Sequence, residues 1–499
     1  MSGKERLFKN VIWSWLGHLA FIIAGFILPR AINDNVGQVL LGIWDFAWSI
    51  VNYLTLVQMG IGTSVNRYVA KYAALNDFKG LNTSVISVFV IQMLLGAVII
   101  ILTFILYYIV PIVWEEKLGE HLDEAQTIII ILGFSTALRT AFGAYDGVIT
   151  GMHRWDLYNI NNSLTHILTI TIMVIALYKG GDLVTMSYIY LLGSIATILI
   201  RIIIANKVCR HLDIRIHYFK IRSALEMIRF GGKNFLTSVS QLFLYQTNGI
   251  LIVSLLGPQL LAIFMRPLAL VQHLKVFVGK LGNTLTPVIT EIHVKENKQE
   301  LVSLVLNSTK YTISIALPGV LFLVIMGEPL MEIWMGADYV VNAILVLLPL
   351  GHLLTIAHLP LVNCLVALNE HGKIALANII AAVSSVLLSY IYLKYTDLGI
   401  IGVAIAISVP LSITDGLVLP YIVLRKLDVK FLKYVNKTWK LPIIINMFVA
   451  MILVISSTID NTVLSLLIAA LVSGLVILAA YWKWIFPENI KHKLTRRFV

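Results

Sequence analysis

From Leu81 to Val110 the chain carries no charged side chain, and that run alone exceeds the roughly 20 apolar residues needed to take a helix across a bilayer. The stretch from Leu441 to Ser457 is nearly as apolar. Composition extends the constraint to the whole chain. Of 499 residues 59% are hydrophobic and 13% charged, with mean hydropathy +0.88, whereas soluble domains carry about 25% charged residues. The reading is an all-α polytopic membrane protein.

The longest hydrophilic stretch is the basic segment from about Lys207 to Lys233, too short to hold a soluble catalytic domain. The chain has no GxxxxGK[ST] phosphate loop, no HExxH and no CxxC, which argues against ATP-driven transport and zinc chemistry. Neither enzymatic activity, a cofactor nor a metal centre is expected. Cys209 and Cys364 imply no disulfide framework.

Apolar windows separated by Gly, Pro, Asn and charge predict about fourteen helices, starting near residues 8, 38, 81, 122, 157, 183, 231, 260, 301, 338, 373, 397, 440 and 463. The start Lys4, Arg6, Lys9 leads into an apolar run without a small-residue cleavage site, and so reads as an uncleaved first helix. With the N-terminus inside, 28 of the 38 Lys and Arg fall on the cytoplasmic side and only Arg30, Lys117, Lys179 and Lys394 on the other. Both termini are therefore expected in the cytoplasm. The net charge of +12 is mainly this topology signal, and no nucleic-acid partner is expected from it.

Gly37-Gln-Val-Leu-Leu-Gly-Ile-Trp44 lies over Gly257-Pro-Gln-Leu-Leu-Ala-Ile-Phe264 at an offset of 220 residues. Each copy opens the second helix of a six-helix block, and an even helix number inserts both blocks in the same sense. The expected organisation is an N-lobe at 1–206 and a basic linker at 207–232 that forms an amphipathic helix on the inner membrane surface. A C-lobe at 233–425 follows, then two further helices and a basic tail at 426–499. Two six-helix lobes around a central cavity are the simplest geometry that gathers the wet helix faces described next.

Polar residues inside a membrane are costly and must face protein or water. Arg266, His273 and Lys280 fall at i, i+7 and i+14 of the eighth helix, one cationic stripe. Asn234, Ser238, Gln241, Tyr245 and Asn248 share a face of the seventh, with hydroxyl and amide groups able to bond a sugar. Asp45, Trp48, Ser49 and Asn52 share one on the second, and Ser14, His18 and Gly25 one on the first. Arg139 and Asp146 stand at i, i+7 in the fourth, where they also read as an internal pair, while Lys310 and Asp415 are single charges. Stripes of Ser, Asn and Gln also serve as helix-to-helix glue, and Lys280 also reads as a side chain snorkelling to the surface. The excess of Arg and Lys over Asp45, Asp146 and Asp415 favours an anion, since Arg makes forked bonds to phosphate.

The run Leu41-Gly-Ile-Trp-Asp-Phe-Ala-Trp-Ser-Ile-Val-Asn-Tyr-Leu54, with Met59-Gly-Ile-Gly, Arg67-Tyr-Val-Ala-Lys-Tyr72, Gly151-Met-His-Arg-Trp-Asp-Leu-Tyr-Asn159 and Leu398-Gly-Ile-Ile-Gly-Val-Ala-Ile-Ala406, resembles Wzx-like oligosaccharide flippases of the multidrug/oligosaccharidyl-lipid/polysaccharide exporter superfamily. The resemblance implies a bacterial inner-membrane protein that moves an undecaprenyl-pyrophosphate-linked oligosaccharide from the cytoplasmic to the periplasmic leaflet by alternating access. It implies service to O-antigen, lipopolysaccharide or another surface polysaccharide, membrane lipids as neighbours and a polysaccharide polymerase as partner. In that family Arg and Lys hold the pyrophosphate, and Arg266 fits the role. Under this reading the substrate contacts are Arg266, His273, Lys280, Arg139, Asn234, Gln241, Tyr245, Asn248, Asn52 and His18. Asp45, Asp146 and Asp415 are the candidates for charge pairing or ion coupling, with Asp45 expected to neutralise Arg266 in the empty state. Asn248 departs from the family, standing where an acidic residue is expected. A multidrug/cation antiporter, a lipid II flippase and a membrane-embedded glycosyltransferase or polymerase are the alternatives.

Overall fold

A computed structural model of the chain describes residues 21–58, 62–231, 235–282, 285–370 and 372–485. Lipid offers the backbone no hydrogen-bond partners, so each spanning segment satisfies its own amides as a helix. The first helices are α1 (21–36), α2 (Gln38–Leu54), α3 (Gly62–Ala74), α4 (Phe78–Leu118), α5 (Leu122–Ala141), α6 (Ala144–Gly151), α7 (Trp155–Tyr178) and α8 (Leu183–Val208). Then come α9 (Ile221–Gly231), α10 (Phe235–Leu242), α11 (Asn248–Leu256), α12 (Pro258–Gly282), α13 (Leu285–Val294), α14 (Lys298–Ile325), α15 (Gly327–Trp334) and α16 (Asn342–Ala357). The last are α17 (Leu359–Ala367), α18 (Gly372–Tyr395), α19 (Gly399–Ile413), α20 (Leu419–Leu427), α21 (Phe431–Thr438), α22 (Lys440–Ser457) and α23 (Thr462–Trp484). Among the described residues, twelve helical segments are long and apolar enough to cross a membrane. One of these, Phe78–Ala141, is α4 and α5 joined by a tight turn at Gly119–His121. The chain is a multi-pass, all-α membrane protein.

The faint sequence repeat is written clearly in the backbone. Gly37 and Gly257, 220 residues apart, have φ of 94° and 99°, a left-handed conformation that only glycine adopts without strain. Asn76 and Glu296 form a second left-handed pair at the same offset, with φ of 55° and 56°. The residue after each caps the next long helix: Asp77 Oδ1 accepts from the Gly80 amide at 2.8 Å, and Asn297 Oδ1 from the Glu300 amide at 3.1 Å. Capping bonds of this kind satisfy amides the helix itself leaves open.

By contact the chain divides at Ala262, into Met1–Ala262 and Ile263–Val499, rather than at the expected boundary near 233. The reason is that the stretch 247–259, α11 and the residues flanking it, is stitched to α2 and α4. The Trp114 indole donates to Ser254 Oγ at 2.8 Å, Gln259 Nε2 donates to Gln38 Oε1 at 2.7 Å, and Tyr53 hydrogen-bonds Thr247. A Cβ on Gly42 would lie 1.8 Å from the Pro258 carbonyl oxygen, so the two repeat motifs meet where the second helix has no side chain. Gly42→Ala is expected to destabilise the protein by about 1–3 kcal/mol, the usual cost of overpacking, read as a lower midpoint of thermal unfolding in detergent.

The basic linker is clamped to α3 and α4. Asn82 Nδ2 donates to the His211 carbonyl at 3.0 Å and its Oδ1 accepts from the Asp213 amide at 3.1 Å, while Ser64 Oγ donates to the Met227 carbonyl at 2.9 Å. Cys209 and Met227 are buried in a cluster with Val65, Val69, Leu81 and Tyr145. The other side of α9 exposes Ile221 and Leu225. In the second unit α22 packs on α14, and α23 on α22 and α15, where Val449, Leu453 and Ala469 bury Met326.

Candidate functional site

Within the first unit, helices α3 to α8 enclose a cavity of about 530 Å³, inside the range of small-molecule sites. Its shape depends on small residues. The long fourth span breaks into α5 and α6 at Phe142 and Gly143, and a Cβ on Gly143 would meet Gln92 Nε2 at 3.0 Å. A Cβ on Gly147 would fall 2.3 Å from Val65, and one on Gly193 would fall 2.1 Å from Thr169 Oγ1. These glycines let α6 approach α3 and α8 approach α7.

The wall is polar and cationic. Arg201, 5% exposed, donates from Nη1 to Asp146 Oδ2 at 2.7 Å, hydrogen-bonds the Asn162 side-chain oxygen through Nη2, and lies over the Tyr158 ring with 5.4 Å between guanidinium carbon and centroid. Arg139 is exposed in the cavity and donates from Nη1 to Tyr190 Oη at 2.9 Å. Two guanidiniums therefore face one carboxylate. Arg201 Nε, Asp146 Oδ1 and Gln92 Oε1 are buried and have no hydrogen-bond partner among the described residues, and buried polar atoms are normally partnered. Gln58 donates to Thr140 Oγ1 at 2.8 Å, and Asn66 and Thr165 add further polar lining. Aromatic rings complete the surface: Phe21 stacks on His166 at 4.0 Å, and Trp155 stands edge-on to Tyr158 at 5.9 Å.

Of the predicted site residues, Arg139 and Asp146 line this cavity. They do not form the expected pair along one helix, because the break at Phe142 and Gly143 separates them and Asp146 takes Arg201 of α8 as its ion-pair partner. Asp45 and Asn52 stand on α2, whose Trp48 meets Tyr190 edge-on at 5.0 Å. Gln241, Tyr245 and Asn248 do not share one straight face. A π-turn at Phe243–Thr247 inserts a residue into the helical register, leaving Gln241 exposed and Asn248 fully buried, with its Nδ2 on the Leu244 carbonyl at 2.7 Å. Arg266, His273 and Lys280 lie on α12 in the second unit, with Arg266 buried. His18 and Asn234 lie outside the described residues.

Arg201, Asn162, Gln92 and Tyr158, which also line the cavity, are not among the predicted site residues. A signal was there. Tyr190, Ser194, Thr197 and Arg201 fall at i, i+4, i+7 and i+11, and Asn162, Thr165 and Thr169 at i, i+3 and i+7, the spacing of single helix faces.

The second unit buries a different network. Asp415 sits in another π-turn, Thr414–Val418. Thr355 Oγ1 donates to its Oδ2 at 2.5 Å, and His358 Nδ1 donates to its carbonyl at 2.6 Å. Because a carbonyl only accepts, His358 Nε2 is the acceptor for Tyr434 Oη at 2.8 Å, and the Trp439 indole donates to Tyr434 Oη at 3.4 Å. Lys275 lies close enough for its charge to act on Asp415. Asp415, His358 and Tyr434 are 7%, 2% and 1% exposed.

Residues 7–293 match the family model described as polysaccharide biosynthesis protein. The chain belongs to that family. An uncharacterized membrane protein of Methanocaldococcus jannaschii is 22% identical over 504 residues, covering 96% of each chain. Among solved structures, lipid II flippase MurJ in an inward closed conformation aligns with TM-score 0.72 at 16% identity, over 96% of this chain and 99% of that one. A multidrug resistance MATE family transporter in an inward-facing conformation aligns with TM-score 0.68 at 18% identity, over 81% and 94%. A transporter of the same superfamily from Pyrococcus furiosus, described as having a binding pocket of reversed polarity, aligns with TM-score 0.56 at 16% identity, over 86% and 96%. The chain thus has the fold of these transporters.

Proposed function

We propose that the chain is a flippase that carries a polyprenyl-pyrophosphate-linked oligosaccharide across the membrane, from the cytoplasmic to the opposite leaflet, by alternating access. The cavity of the first unit carries the reading. Its surplus of guanidinium over carboxylate suits an anionic headgroup, because Arg offers paired N–H donors to phosphate oxygens. Its hydroxyls, amides and aromatic faces suit sugar rings. Arg139 is the phosphate anchor: one of its five N–H donors is held by Tyr190, while Arg201 is taken up by Asp146, Asn162 and Tyr158. Moving about two negative charges out of an inside-negative cell, down the electrical gradient, releases roughly 4–5 kcal/mol per 100 mV, enough to bias export without ATP.

Family membership and the MurJ-like fold support this reading. The MATE-like fold also fits a cation antiporter, but a cavity with two Arg and one Asp would repel the cations such a protein carries. The test is translocation of a fluorescent polyprenyl-pyrophosphate oligosaccharide in proteoliposomes with an imposed potential. Wild-type transport of this lipid, without efflux of an organic cation dye, is expected; dye efflux without lipid transport would overturn it.

Asp415 is proposed as the coupling carboxylate. Its carboxylate accepts from the Thr355 hydroxyl of α16 and feels the charge of Lys275 on α12, so a proton or cation gained there changes the contacts of the π-turn with both helices at once. Asp415→Asn is expected to keep substrate binding and to abolish the response of transport to an imposed ion gradient, measured in the same vesicles at constant potential.

A further inference from the structure

A second groove lies far along the chain from the cavity, where α18 begins and α20 ends. It encloses about 480 Å³ and is lined by Lys373, Tyr421, Ile422, Arg425 and Lys426. Lys373 and Lys426 share one carboxylate, with Nζ atoms 2.6 Å and 2.9 Å from Glu370. Hydrogen bonds from the two lysines hold the Glu370 carboxyl down to about 2, so this arrangement of charge persists across the working pH range. Asp428 is turned to Lys298 at 3.5 Å. Arg425 donates from Nη1 to Tyr421 Oη at 3.3 Å. Three cations thus meet one carboxylate at a single mouth.

What lies below the mouth decides the class of ligand. Leu376, Ile380 and Leu387 follow Lys373 at i+3, i+7 and i+14 and are 62%, 59% and 60% exposed. Tyr421, Leu417 and Ile413 step back from Arg425 by four residues each and are 63%, 64% and 50% exposed. Both rows belong to membrane-spanning segments, and α18 packs against α19 and the π-turn that follows it. Two apolar tracks therefore run into the hydrocarbon from one cationic mouth, an arrangement that a free phosphate would not use but an anionic two-chain lipid fills. Basic pockets between spanning helices are the common form of headgroup site.

We propose that this groove binds the phosphate headgroup of an anionic phospholipid, with Arg425 and Lys373 on the phosphate, one acyl chain along α18 and the other along α20 and the π-turn to the end of α19. The site is separate from the cavity of the first unit and does not depend on which substrate is flipped.

The full chain in detergent is offered equal amounts of phosphatidylglycerol and phosphatidylcholine with matched acyl chains, and bound lipid is counted by native mass spectrometry. Wild type is expected to retain phosphatidylglycerol in preference, and to keep it in excess inorganic phosphate. The Lys373→Gln, Arg425→Gln, Lys426→Gln triple variant is expected to lose retention at least about tenfold, given roughly fivefold for each cation at a membrane surface. Arg425→Gln alone, which keeps both Glu370 pairs, is expected to lose about fivefold and serves if the triple variant does not fold. Neutralising Lys430, at the cap of α21, and Lys433 and Lys437 on it instead is expected to change nothing. Equal retention of both lipids, undiminished retention in the folded Arg425→Gln protein, displacement by inorganic phosphate, or equal loss in the α21 control would each overturn the proposal.

Discussion

Arg201→Gln is expected to destabilise the protein by about 3 kcal/mol and to abolish transport, while the double change Arg201→Gln, Asp146→Asn recovers most of the stability and none of the transport. Removing one partner of a buried pair strands the other charge, at about 3–5 kcal/mol. The low end applies, because the Asp146 side chain is 28% exposed whereas that of Arg201 is 6% exposed. Replacing both by amides leaves no uncompensated charge. Transport does not return, because the Tyr158 platform and Asn162 lose the guanidinium that holds them to α8. Arg201→Lys is expected to behave like the single variant, since one ammonium cannot span Asp146 and Asn162 as the planar fork does. Unfolding midpoints in detergent and flipping rates in vesicles give the two readouts. Equal stability of single and double variants would remove the ion pair from the argument.

Arg139→Gln is expected to weaken binding of the pyrophosphate-linked substrate by about 10- to 100-fold with little change in stability. A hydrogen bond to a charged group contributes about 1.5–3 kcal/mol, and Arg139 is exposed in the cavity with a tyrosine hydroxyl as its partner. Arg266→Gln is the matched comparison. Arg266 is only 4% exposed, so its replacement is expected to lower stability first and transport with it. Binding measured on folded protein separates the two. If Arg266→Gln loses binding at unchanged stability while Arg139→Gln does not, the phosphate site is on α12 and the cavity of the first unit serves another purpose.

The helix starts predicted near 38, 81, 122, 157, 183, 260, 301, 373, 397, 440 and 463 fall within three residues of observed helix starts. Helix rotation was legible only where the helix is regular. The two stripes on α7 and α8 rest on unbroken α-geometry and the eighth-helix stripe on a helix that continues past Pro267, but the seventh-helix stripe did not survive the π-turn at Phe243–Thr247. Likewise Arg139 and Asp146, seven residues apart, look like neighbours on paper until the break at Phe142 and Gly143 turns them to different partners. The ion pair that orders the cavity joins residues 55 positions apart, and nothing local to either one names the other.

The sequence by itself determined that this chain spans a membrane many times as helices, because transfer of a segment into lipid depends on that segment's own side chains. Which polar residues share a cavity was decided by the tertiary structure alone. Burial in lipid is a sum over neighbours in sequence, whereas a binding site is a coincidence of helix rotations, breaks and glycine contacts among segments that are distant in it.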